Sequence, residues 1–435
     1  MNPIKIETFT RFQFVSSPTF SPDGKFAAFV VQQADLPNNG YKGDLYLYGC
    51  AGGEVKKLTT SGDVKSYVWS KAGTLIFPSE RDGKKEDATG YYEIFPDAGE
   101  AVKKFQVPLK VTGMYTVDEN RYLLTAVTEL DKRVKDKDPA YEVIDEIPFW
   151  SNGKGFTNGL RSRLYLYDAS SDKLTPVSGE TADAGSFSVR GEKILYKAYP
   201  WTDIHNWHGG IYLYDMASGE NKCLLEKDIR PTGMIGFWAD DQAVVASDDG
   251  KSAYGNGKYL DFYTMDLRTG QMELLTPYDC SSGSGSVGSD ARLGGGQTVK
   301  TGEGICYFVT TKGSSTYLYS IEKDGSLKAV VTEEGSCDSF DVRDGHVLVC
   351  GLYGGGPAEL YLDGRQITFF NDMDKWQVSA PKAYTFTAGD GFSLTGWVLE
   401  PAGYEPGKKY PAILNIHGGP RTVFGTVFHH EMQVW

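Results

Sequence analysis

Four groups of residues in this chain have types and spacings suited to chemistry. Glu142, Asp145 and Glu146, in YEVIDEIPFW, put three carboxylates into one short stretch, and paired carboxylates suit a charged ammonium group. The competing reading is a short solvated helix with Phe149 and Trp150 as packing anchors. Asp203, His205 and His208, in WTDIHNWHGG, have metal-ligating side chains. A metal centre needs three or four converging ligands and a supporting second shell, so no metal is assigned to them. His417-Gly418-Gly419-Pro420 ends an apolar run as a glycine turn, which by itself does no more than close a strand. His429 and His430 are neighbours in a helix-like segment and cannot face one direction, so they read as surface or domain-contact residues.

A serine nucleophile held on a sharp strand-to-helix turn needs G-x-S-x-G, which exposes the hydroxyl. No such pentapeptide occurs. In SSGSGSVGS (281–289) no serine has glycine two positions before and two after, and Gly391-Phe392-Ser393 is followed by Leu394-Thr395. No catalytic residue is therefore assigned within the 435 residues, and no cofactor is implied.

The elements that must position these groups follow from a repeat. Hairpin signals recur at 45–59, 163–177, 211–225, 262–276, 317–332 and 359–368, each two alternating strands around a Gly-, Asp- or Ser-bearing turn. Partner hairpins precede most of them, at 20–30, 68–79, 115–127, 187–198, 237–247, 302–311 and 340–351. Seven units spaced about 53 residues apart, with four strands each, predict a seven-bladed β-propeller over 1–375 rather than a pair of large β-sandwiches, which have no such period. Blade three carries an insertion at 128–162 whose aromatics predict that it folds against something. Its run Glu129–Asp138 alternates in sign and reads as a solvated loop. The Ser/Gly-rich stretch 279–299 reads as a flexible excursion without chemistry.

Composition agrees with a mainly β body. Glycine is 52 of 435 residues, above the roughly 7% of ordinary usage, and aromatics make up 13%. Lys+Arg 44 against Asp+Glu 57 gives a net charge of -13, which argues against nucleic acid as a partner. The N-terminus has no apolar stretch behind a basic start and no long apolar run follows, so neither a cleaved signal nor a membrane span is expected. Six scattered cysteines without a C-x-x-C pair read as reduced thiols, and the expected location is cytoplasmic. After residue 370 the repeat stops. Two alternating strands (383–388 and 393–400) precede Tyr410–Ile416, an apolar run that reads as a strand buried on both faces.

FSPDG near the start, FWSNGKGFTNGLRSRLYLYD closing the insertion, and NIHGGP followed by HHEMQVW together resemble the prolyl oligopeptidase family of serine peptidases, in its acylaminoacyl and dipeptidyl peptidase branch. The resemblance covers essentially the whole chain. It implies a propeller capping an α/β-hydrolase domain, of which 376–435 would be only the first, incomplete part, with residues 1–15 packing toward the hydrolase side. It also implies that Ser, Asp and His follow downstream of residue 435, so that this chain alone is inactive. Gly418 and Gly419 would offer backbone N–H groups to an oxyanion, and Glu142, Asp145 and Glu146 would grip a substrate's amino terminus. The paired Glu-Glu of the dipeptidyl peptidase IV type is missing, which leaves strict dipeptidyl specificity in doubt.

The expected partners are short peptides, with a homo-oligomer as an open alternative and neither nucleic acid nor membrane. Two further readings stand beside the peptidase: a non-catalytic propeller that binds a protein on its face, and a propeller enzyme with metal chemistry at Asp203, His205 and His208.

Overall fold

The computed structural model of the chain describes residues 1–83, 87–97, 99–130, 143–205, 208–251, 258–419 and 421–435. Glu142 and most of the alternating-charge run lie outside them. Among the described residues, five four-stranded antiparallel sheets span 13–57, 68–107, 110–176, 182–225 and 232–276, and an eight-stranded sheet spans 299–366. The last divides into two four-stranded runs, 299–331 and 336–366, joined by the single parallel pair Thr316–Ser336.

The second strand of each run explains why these sheets cannot stand alone. Successive side chains on a strand point to opposite faces, and here both faces are apolar. Ala27 packs into one buried cluster and Ala28 into another; the same split separates Leu75 from Ile76, Leu123 from Leu124, Leu195 from Tyr196, Val244 from Val245, Phe308 from Val309 and Leu348 from Val349. Each cluster joins one four-stranded run to the next. The series closes where Leu348, Cys350 and Leu360 of the final run pack on Phe14, Val15 and Phe29 of the first. The runs therefore form a ring arranged like the blades of a propeller.

Among the described residues no strand of the first sheet is lent to the last, and side chains make their seam. Phe20 N–H donates to Asp341 Oδ2 at 2.8 Å, Cys350 Sγ donates to Val15 O at 3.2 Å, and the Arg343 guanidinium reaches Pro22 O. Lys300 completes the seam as an ion pair with Asp341 at 2.6 Å.

Beyond the ring the chain behaves in two ways. Residues 382–387 and 393–398 form an exposed hairpin. The run Tyr410–Ile416, expected to be buried on both faces, has no ladder partner among the described residues, and Leu414 is 85% exposed. A doubly covered strand needs a neighbour on each side, and the hairpin does not supply one. By contrast 421–435 docks on the ring, burying Val427, Phe428 and His430.

Phe308 is fully buried between the rings of Phe262 and Tyr278, with centroids at 5.0 and 5.7 Å. Phe308→Ala should lower unfolding stability in urea by about 3–5 kcal/mol. Leu414→Ala should change it by no more than about 0.5 kcal/mol.

Candidate functional site

Strand direction decides which loops share a face. In an antiparallel four-stranded run, the link from strand two to strand three and the link to the next run leave at one end, and the remaining turns leave at the other. The insertion before Leu160, the loop 201–209, the link 277–298 and the segment before Gln13 therefore emerge on the same face of the ring. The tail joins them there. His430 Nε2 donates to Lys5 O at 2.9 Å, and its ring lies against Phe9 and Phe12. Asn2–Pro3 pairs in parallel with Trp376–Gln377, and the Arg421 guanidinium sits 4.8 Å over the Tyr259 ring.

The insertion is fastened by a buried arginine. Arg161, at the start of the third strand of its sheet (Leu160–Asp168), is fully buried and forms a two-pronged ion pair with Glu146, at 2.5 Å to Oε1 and 3.1 Å to Oε2. It also donates to the carbonyls of Leu160, Thr181 and Trp201 and lies 3.6 Å over the Trp201 ring. Glu146 Oε2 accepts a further bond from Gly159 N–H at 2.7 Å. The flanking backbone pairs with the neighbouring loop, Ile147 N–H donating to Asp203 O and His205 N–H to Ile147 O, both at 2.8 Å.

These contacts sort the residues singled out from the sequence. Both Glu146 oxygens are held by the chain's own guanidinium, so its charge is met internally. Asp145 is exposed, and its backbone N–H is held by Asn158 Oδ1 at 3.2 Å. The insertion does fold against something: the loop of the next sheet. Asp203 contributes its carbonyl to that contact. His205 packs between Tyr199 and Trp201, and burial pushes its imidazole below the usual range, favouring the neutral form. Among the described residues no group of three or more His, Cys, Asp or Glu could hold a metal.

Gly418 and Gly419 are exposed, and no described residue accepts a bond from either amide. The turn is flanked by His417, whose Nδ1 lies 3.0 Å from Gly418 O and whose ring meets Phe424 edge-on at 5.3 Å. His429 and His430 do face apart: His429 Nδ1 lies 3.3 Å from Asp290 Oδ2, while His430 turns to Lys5.

The Ser/Gly-rich stretch corrects the sequence reading. It is a packed strap. Ser286 O accepts from Val423 N–H at 3.0 Å, Gly288 N–H donates to Val423 O at 2.9 Å, and Asp290 accepts from the amides of His430 and Glu431 at 2.6 and 2.8 Å. Glycine here permits close approach of neighbouring chain segments rather than flexibility. Asp290 and Arg161 were missed for a common reason: each works through a partner far away in sequence.

The fold resembles the propeller-bearing part of known peptidases. It superposes on an acylaminoacyl peptidase of Pyrococcus horikoshii with a TM-score of 0.77 at 20% identity, covering 99% of this chain and 64% of that one. The β-propeller domain of the Trilobed protease from Pyrococcus furiosus matches with a TM-score of 0.56 at 16% identity, over 83% of this chain and 99% of that domain. In sequence the chain is 27% identical to the uncharacterized peptidase YuxL of Bacillus subtilis, over 99% of this chain and 68% of the relative, and 25% identical to dipeptidyl-peptidase 5 of Porphyromonas gingivalis, over 95% and 63%. No family model matches. The chain is thus related to the peptidases of the prolyl oligopeptidase family and spans about two thirds of the length of these relatives.

Two outcomes follow from the site. Arg161→Ala leaves Glu146 buried and unpaired, so stability in urea should fall by about 3–5 kcal/mol. Arg161→Lys should recover little of it, because an ammonium cannot reproduce the two-pronged pair. Asp290 is raised by burial, but the His429 contact and the amides of Glu431 and His430 outweigh this and hold its carboxyl below the ordinary range. A depressed carboxyl stabilises the folded form above its unfolded value, so tail docking should persist at neutral pH and be lost as pH falls below about 4. Proteolysis of 421–435 across a pH series checks this.

Proposed function

We propose that this chain is the propeller-bearing N-terminal part of a serine peptidase that hydrolyses short peptides. The observation that carries the reading is the convergence, on one face of the ring, of the tail bearing Gly418–Gly419 and the insertion bearing Asp145. In this reading the four-stranded runs are seven blades over 1–375, and 376–435 opens an α/β-hydrolase domain. The Ser-Asp-His triad is supplied by sequence downstream of 435, so residues 1–435 alone do not turn over substrate.

Gly419 N–H, with that of Gly418 beside it, would donate to the oxyanion formed when a serine attacks the peptide carbonyl. Such donors act where charge develops in the transition state, which is where hydrogen bonding speeds acyl transfer most. Of the three carboxylates of the insertion, Asp145 is the one free to meet a substrate ammonium among the described residues, since Glu146 serves Arg161 and Glu142 lies outside them. The ring limits entry to small, unfolded peptides. The relatives named dipeptidyl-peptidase and acylaminoacyl peptidase support peptides as the substrate class. Six free cysteines support a cytoplasmic setting. No described helix is long and apolar enough to cross a membrane. Association of two copies through the exposed run 410–416 remains part of the proposal.

The test is labelling with a fluorophosphonate, which tags activated serines. The native gene product should run above 47.8 kDa and carry one label, while residues 1–435 carry none. An unlabelled native product, or turnover by 1–435 alone, would overturn the reading. In the active protein, Asp145→Asn should raise KM about tenfold for peptides with a free amino terminus and leave N-acylated ones unchanged.

A further inference from the structure

We infer that residues 286–297 form a strap that makes docking of the tail and closure of the ring a single cooperative event. The inference stands on contacts within the described chain and does not depend on the peptidase reading.

The strap has two ends with different partners. Its first half holds the tail: Val287 pairs in parallel with Val423, Ser289 Oγ donates to Phe428 O at 2.7 Å, and both Asp290 oxygens cap the start of the helix His430–Val434. Its second half lies across the seam between the first and last four-stranded runs. Gly295 O accepts from Ser17 N–H at 2.8 Å and Ser17 Oγ at 3.0 Å, on the first run. Gln297 O accepts from Phe340 N–H at 3.0 Å, on the last run.

Arg292 joins the two halves. Its Nη1 donates to Val287 O at 2.7 Å, and its Nε forms an ion pair with Asp338 Oδ2 at 3.0 Å, on the first strand of the last run.

Glycine is required where the strap meets the seam. A Cβ at Gly294, which has φ of +85°, would fall 2.4 Å from Ser16 Oγ, and one at Gly296 would fall 2.4 Å from Ser339 Cβ. The first serine belongs to the first run and the second to the last. One segment thus touches both sides of the seam with no room for a side chain, and its other end is covered by the tail. Elements that share a rigid intermediary bias one another reciprocally: whatever loosens the tail loosens the seam, and the reverse.

The experiment is amide hydrogen exchange on residues 1–435, which reads local opening. Asp290→Asn weakens the cap at the tail and touches nothing at the seam. We expect exchange at Ser17 and Phe340 to rise at least about tenfold along with that of His430 and Glu431, while Leu123 and Leu164 of the third sheet are unchanged. Faster exchange confined to the tail would overturn the inference, as would equal acceleration in the third sheet. In the reverse direction, Gly296→Ala should speed exchange at His430 and Glu431. Adding Ser339→Gly, which removes the obstructing atoms, should restore it. Unchanged tail exchange in Gly296→Ala, or failure of the double variant to restore it, would also overturn the inference.

Discussion

A sheet with two apolar faces cannot be finished by folding alone, and this constraint organises the molecule. Each four-stranded run here buries both sides of its second strand, so every run needs a neighbour on its left and another on its right. A row would leave two raw apolar faces at its ends, contiguous patches of a kind that isolated soluble proteins rarely expose. Closing the row into a ring removes both. The net stability then belongs to the closed set, because each interface depends on the one before it.

Closure places unusual demands on the seam, where among the described residues no strand crosses and the first and last runs are tied to each other by side chains. Asp341 is the busiest residue there. It accepts the Phe20 amide and pairs with Lys300, which comes from the adjoining half of the eight-stranded sheet. The seam therefore ties three runs rather than two. The link 277–298 lies over this junction, and the tail lies over the link, so the layers stack from the ring outward toward the face where the candidate site sits.

The sequence showed the repeating part of this arrangement clearly and the joining parts poorly, for a physical reason. Short apolar runs such as those in KILYKAYP and QAVVAS, bounded by turn residues, are local strand signals that survive in the residue order whatever the partner. The hairpins expected at 20–30, 187–198 and 237–247 correspond to the first turns of sheets at 13–57, 182–225 and 232–276. Joining parts are defined by distant partners. Glu146 looks like one of three equivalent carboxylates until Arg161 is placed beneath it. SSGSGSVGSDARLGGG looks loose because small residues suit disorder and tight packing equally well. Tyr410–Ile416 has the composition of a covered strand, but composition cannot say whether the cover is present. At the candidate site, the glycine turn and the free Asp145 were legible as types, whereas the face they share became visible only from the strand order.

The insertion in the third sheet carries an evolutionary consequence. Its two roots are pinned independently, one by the long ladder that pairs Glu129 with Leu160 and the other by the Arg161 clamp on Glu146. Length and sequence changes between these anchors leave the ladder, the clamp and the Trp201 platform untouched. The ring can therefore carry segments of different length and sequence at this point at little cost to folding, because what fixes the scaffold there lies outside the part that varies.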